Sequence, residues 1–134
     1  MLEGSAIQRA EQLKDRTKQF ALRIIRLFQR LPKTDEARIV ARQVLRSGTS
    51  LAANYRAVCR ARPRKEFISK LAIVVEESDE TAFWLELLME SGLVARRLLE
   101  PLHSEASQLL AIFAASHRTA RTKSRLPIND SMTQ

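Results

Sequence analysis

Eight basic side chains and not one carboxylate lie between Arg38 and Lys65, in a chain of 134 residues with a formal net charge of +8. Arg42, Arg46, Arg56 and Arg60 recur at intervals of four, ten and four, which brings them to one face of a helix with 3.6 residues per turn. Such a stripe would run for about 27 Å, and it ends in the cluster Arg62, Arg64 and Lys65. The chemistry open to it is phosphate binding: guanidinium groups neutralise a polyanion and release its counterions without reading base sequence. Arg42, Arg46, Arg56, Arg60, Arg62, Arg64 and Lys65 are thus the candidate nucleic-acid-binding residues. Tyr55 is the one aromatic residue in the stretch, so single-strand stacking is not supported. A solvated face would carry the same residues, and so would a set of salt bridges to the segment that follows. That segment, 66–90, holds seven carboxylates against one lysine.

Other chemistry finds less footing. A two-metal carboxylate site in a helical bundle needs Glu-x-x-His on two helices and a Glu on each of the others. Glu76, Glu77, Asp79 and Glu80 supply acid, but neither His103 nor His117 follows a Glu by three. The two histidines stand 14 residues apart, with no serine and carboxylate at triad-like spacing. Gly48 stands alone in Arg46-Ser-Gly-Thr-Ser50 with no Gly-Lys-Ser/Thr after it, so a phosphate loop is absent. Cys59 is the single cysteine; an arginine-rich setting would lower its pKa if it were exposed, but without a resolving partner it reads as structural. The expectation is a non-enzymatic protein without metal or cofactor.

The elements that must position the arginines are helical throughout. Apolar residues recur at helical intervals, with no strict alternation of the kind strands require. A first helix is expected over about 8–31, with Leu13, Phe20, Ile24, Leu27, Phe28 and Leu31 inward and Pro32 as its end. Thr34 is the expected N-cap of a second helix running toward Arg62, with Asp35 and Glu36 complementing the dipole in its first turn. Its inward positions are Val40, Val44, Ser47, Leu51, Asn54 or Tyr55, and Val58, and Pro63 stops it or opens the next helix. In the third helix Phe67, Leu71, Val74, Ser78, Thr81, Leu85 and Leu88 alternate steps of four and three, a heptad seam that ends at Ser91-Gly92. A looser turn over 93–99 precedes a fourth helix with Pro101 in its first turn and Leu102, Leu109, Leu110, Ile112 and Phe113 inward.

Short connections make neighbouring helices antiparallel, so the fold class is all-α, an antiparallel up-down four-helix bundle. The expected organisation is a flexible N-terminus 1–7, the bundle 8–118 and a flexible basic tail 119–134. Ser47, Gly48, Thr49, Ser50, Ala52 and Ala53 crowd small residues into the middle of the second helix. Glycine there costs about 1 kcal/mol relative to alanine, so a close approach by another helix, from this bundle or a neighbouring subunit, should offset it. Gly48, Ser50, Glu77, Glu80 and Trp84 are the candidate oligomer-interface residues. The longest apolar run, Leu71 to Val75, is far too short to cross a bilayer, and the first 30 residues lack a secretory h-region. The expected compartment is the cytoplasm.

The segments Arg46-Ser-Gly-Thr-Ser-Leu-Ala-Ala-Asn54, Tyr55 to Arg62, and Phe67 to Leu88 with Glu76-Glu-Ser-Asp-Glu-Thr81 and Trp84-Leu-Glu-Leu-Leu88 resemble the small bacterial 23S rRNA intervening-sequence proteins. The resemblance spans roughly residues 10–118, with the first and fourth helices matching in pattern alone. It implies an antiparallel four-helix bundle that assembles as a homopentamer, with RNA or DNA as the favoured ligand of the seven basic residues and no catalytic residue. A relative in the same fold group serves diversity-generating retroelements, which adds a nucleic-acid-processing protein to the implied partners. Ala57 departs from the pattern, which places an acidic residue three after the Asn. The alternative function is a protein-interaction scaffold in which the basic stretch of one subunit pairs with the acidic stretch of the next, without direct nucleic-acid binding.

Overall fold

The computed structural model describes residues 2–62 and 64–125. Four helices follow one another: α1 (Leu2–Arg30), α2 (Asp35–Val58), α3 (Arg64–Ser91) and α4 (Arg96–Arg125). No strand occurs among the described residues. α1 packs on α2, α2 on α3, α3 on α4, and α4 returns to α1, an antiparallel four-helix bundle closed by a much thinner α1/α4 seam.

The hydrophobic pattern dictates this arrangement. Leu71, Val74, Ser78, Thr81, Leu85 and Leu88 of the α3 heptad seam are all buried, and Phe67 at its start is partly so. Phe20 and Ile24 from α1, Val44 and Leu51 from α2, and Leu99, Leu109 and Phe113 from α4 complete the core. The inward face of α2 also holds Ala37, Ala41, Gly48 and Tyr55, while Val40 sits at its edge. Tyr55 packs its ring 4.9 Å from that of Phe113, which ties α2 to α4 across the centre. Thr17, fully buried on α1, donates its hydroxyl to the Lys14 carbonyl at 3.0 Å and so can lie in an apolar core.

The helix ends show where periodicity misplaces boundaries. Thr34 caps α2 as expected, its Oγ1 accepting from the Ala37 N–H at 3.4 Å. α2 stops at Val58 rather than near Arg62: the N–H groups of Arg60 and Ala61 bond three residues back, to Ala57 and Val58. A proline at 63 disfavours the helical conformation at the residue before it, so the chain has to leave the helix earlier. The role expected of Pro63 itself lies outside the described residues. Gly92 takes φ of +74°, the left-handed turn that ends α3. α4 begins at Arg96, so Pro101 sits in its second turn and not its first. Val94, Leu99 and Leu102 are all buried, and this apolar anchorage on both sides of Pro101 holds the early turn in place despite the missing N–H.

The outer helices are also longer than the expected bundle of 8–118. Residues 2–7 are helical, with Arg9 donating to Ser5 at 3.5 Å one turn below. Residues 119–125 continue α4, where Ala120 is buried at 5% exposure. The remainder of the expected tail, 126–134, lies outside the described residues.

Candidate functional site

The basic stretch does not form one stripe. Because α2 ends at Val58, Arg60 and Arg62 belong to the turn between α2 and α3. The seven expected ligand residues therefore separate into distinct settings. Arg42 lies with Lys33 and Arg38 around a recess at the α1–α2 connection, over Phe28 and Leu31. Arg56 lines a groove between α1 and α2 together with Lys14 and Lys18, where Glu11 and Asp15 offset part of the charge. Arg64 and Lys65 share the rim of a shallow depression with Arg121 of α4, over Ile68 and Ser124.

Arg46 is occupied. Its guanidinium pairs with Glu80 and reaches Glu77 at 3.6 Å, both on α3. The Glu80 carboxyl is partly desolvated, which works against ionisation, yet the Trp84 indole and Arg46 together hold it below the usual carboxylate range. Trp84 Nε1 donates to Glu80 at 3.2 Å, Ser50 Oγ donates to Glu77 Oε2 at 3.0 Å, and Asn54 Nδ2 donates to both the hydroxyl and the carbonyl of Ser50 at 2.9 Å. The result is a polar ladder along the α2/α3 seam: Asn54, Ser50, Glu77, Arg46, Glu80, Trp84. Beneath it, Thr81 Oγ1 stands 2.9 Å from Ser47 Oγ and 2.7 Å from the Glu77 carbonyl, both side chains fully buried. Salt bridging to the acidic helix thus accounts for Arg46 within its own chain.

The candidate interface residues divide in the same way. Gly48 is buried inside its own bundle, and a Cβ there would stand 3.0 Å from Cγ1 and 3.3 Å from Cγ2 of Ile24. The close approach that offsets the glycine is therefore that of α1, which removes Gly48 from any surface. Ser50, Glu77, Glu80 and Trp84 belong to the ladder and are only partly exposed. What periodicity did not single out lies beside them: Phe83, Leu87 and Ile73 are 48%, 37% and 40% exposed on the outer face of α3. Phe83 meets Trp84 edge-on with ring centroids 5.1 Å apart. Off-seam apolar residues within an acidic helix were the available signal.

Cys59 is half-buried, and burial pushes its thiol above its ordinary value, so the arginine-rich neighbourhood does not activate it. Among the described residues, no group of three or more His, Cys, Asp and Glu side chains converges to hold a metal, and no helix is long and apolar enough to cross a membrane.

At the bundle end where α2 turns into α3, basic side chains gather at the surface. Arg60, Arg62, Arg64 and Lys65 are exposed, and none of them forms an ion pair among the described residues. Glu66 is turned to the backbone, accepting the Arg62 N–H at 2.9 Å, which orders the turn that presents these side chains. Arg121, distant in sequence, arrives from α4.

Fold and surface together define a small all-α bundle of four antiparallel helices, with an ordered polar seam between α2 and α3 and a basic end. Residues 10–115 match the family model of the 23S rRNA-intervening sequence proteins, and the chain belongs to that family. It is similar to a crystal structure from Bacteroides thetaiotaomicron, a protein with unknown function from the S23 ribosomal protein family. The two are 32% identical, with a TM-score of 0.74 over 81% of this chain and 97% of the other. No curated protein matches the chain.

Proposed function

We propose that this protein is a non-enzymatic homo-oligomer, a ring of five as its family resemblance implies, that binds RNA or DNA phosphates in the cytoplasm. The observation that carries the reading is the convergence of Arg60, Arg62, Arg64, Lys65 and Arg121 from three parts of the chain on one bundle end, with no carboxylate paired to any of them among the described residues. Exposed guanidinium groups of this density supply sequence-independent affinity. A closed ring would repeat the end several times and multiply a modest monomer affinity. Phe83, Leu87 and Ile73, interspersed with Glu76, Glu86 and Glu90 on the outer face of α3, are the apolar surface that subunit contact would cover.

The scaffold alternative, in which basic and acidic stretches pair between subunits, loses Arg46, whose acidic partners lie within the same chain. The test is binding of a fluorescein-labelled mixed-sequence RNA by anisotropy across a salt series, with the wild type and R60Q/R62Q/R64Q. Affinity should fall steeply with salt in the wild type. The variant should bind all sequences about equally more weakly, with a log–log salt slope smaller by about 2 to 3. Unchanged binding by the variant would reject this surface.

A further inference from the structure

The opposite end of the bundle carries a second concentration of positive charge, and it lies outside the 38–65 stretch. α1 and α4 are the least closely packed of the neighbouring helix pairs. Near the end of α1 and the start of α4, a cleft is lined by Arg23, Arg26, Arg30 and Arg97, with Leu27 and Leu102 as its apolar floor. Leu27 and Leu102 are buried core residues, so the guanidinium groups stand over low-dielectric surface, where a charge-assisted contact is stronger than in open water.

None of the four arginines forms an ion pair among the described residues. The carboxylates on adjoining turns of α4 are engaged elsewhere: Glu105 takes a two-pronged contact from Arg16 at 2.7 and 2.8 Å, and Glu100 stands 3.9 Å from Arg96. Arg23 also helps hold the Glu105 carboxyl low, so it is the least free of the four; Arg26, Arg30 and Arg97 are exposed, with no carboxylate paired to them among the described residues. Arg96 and Arg97 open α4, and its first turn contains no acidic residue. Cations at a helix N-terminus oppose the helix dipole, an arrangement that an incoming anion relieves.

Spacings of three and four place Arg23, Arg26 and Arg30 along one face of α1 over about 10 Å. A strand of duplex carries a phosphate every 3.4 Å of axis, so the row spans roughly three phosphates. All four positions hold arginine, whose planar fork matches phosphate oxygens two at a time.

We propose that this cleft is a second phosphate-binding site, in which Arg23, Arg26, Arg30 and Arg97 hold consecutive backbone phosphates of a nucleic-acid strand. The proposal rests on the nucleic-acid reading above but uses different residues at the other end of the bundle, so the two can fail separately. Full-length R26Q/R30Q/R97Q replaces only exposed side chains, and its fold is checked by its circular-dichroism melt. Its affinity for a 20-nucleotide RNA should drop about tenfold or more, with a salt slope smaller by about 2 to 3. Combining it with R60Q/R62Q/R64Q should weaken binding beyond either triple variant. Wild-type affinity and slope in R26Q/R30Q/R97Q would overturn the cleft and leave the far end intact. Wild-type protein that binds no RNA at low salt would overturn both. Inorganic tripolyphosphate is the probe for a small-molecule source of the same chemistry. If it binds R60Q/R62Q/R64Q more tightly than RNA does, and that binding is lost on adding R26Q/R30Q/R97Q, the cleft serves a small oligophosphate and the strand assignment falls.

Discussion

Gly48 shows how much a single position can decide. Alanine is the better helix former by about 1 kcal/mol, and in an open helix the exchange would stabilise. Here the added methyl meets Ile24 at 3.0 Å, and Ile24 is fully buried, with even its Cβ only 3.5 Å away. A β-branched side chain in a helix is held in one rotamer and cannot swing aside. Overpacking of this kind costs about 1 to 3 kcal/mol. G48A should therefore be destabilised by about 1 kcal/mol net, seen as a lower urea midpoint with an unchanged slope. A raised midpoint would mean that α1 moves away freely. Arg46 likewise takes its role from its neighbours: the same arginine that reads as a phosphate ligand in the sequence becomes, once α2 and α3 are side by side, the centre of a ladder running from Asn54 to Trp84.

Among the helices, the α1/α4 seam is the thinnest, and its best-defined polar contact is Arg16 with Glu105 and Gln108. The Arg16 guanidinium holds the Glu105 carboxyl below the usual carboxylate range, against the opposing effect of burial. A depressed folded-state value stabilises the fold above the unfolded carboxylate pKa of about 4.3, and that contribution is lost as pH falls through the folded value. Stability should therefore decline on acidification from about pH 5 downward. E105Q should be less stable at neutral pH and show a shallower decline, measured by urea unfolding from pH 7 to 3. An E105Q profile parallel to the wild type would remove this pair from the account. The elements themselves were legible because the inward residues of α3, small hydroxyls included, keep to one heptad seam and Thr34 carries a capping hydroxyl. Their ends were less so. The 3.6-residue period does not register that the chain tightens after Val58, or that Leu99 can anchor a turn ahead of Pro101. The site was legible as charge and not as geometry. A run of basic residues shows how many there are, but which of them meet a carboxylate depends on the neighbouring helix.

At the scale of the molecule, the bundle separates charge along its length: basic clusters at both ends, and on α3 an acidic outer face that also exposes Phe83, Leu87 and Ile73. Apolar exposure within an acidic face suits contact between subunits, while exposed arginines at the ends suit a polyanion. The most direct measurement is light scattering coupled to size-exclusion chromatography, run with and without a short mixed-sequence RNA at low and high salt. A phosphate-binding ring would run as a species of about five times the 15.3 kDa chain mass that gains RNA at low salt and releases it at high salt. An assembly, or a monomer, that takes up no RNA at low salt would contradict that reading.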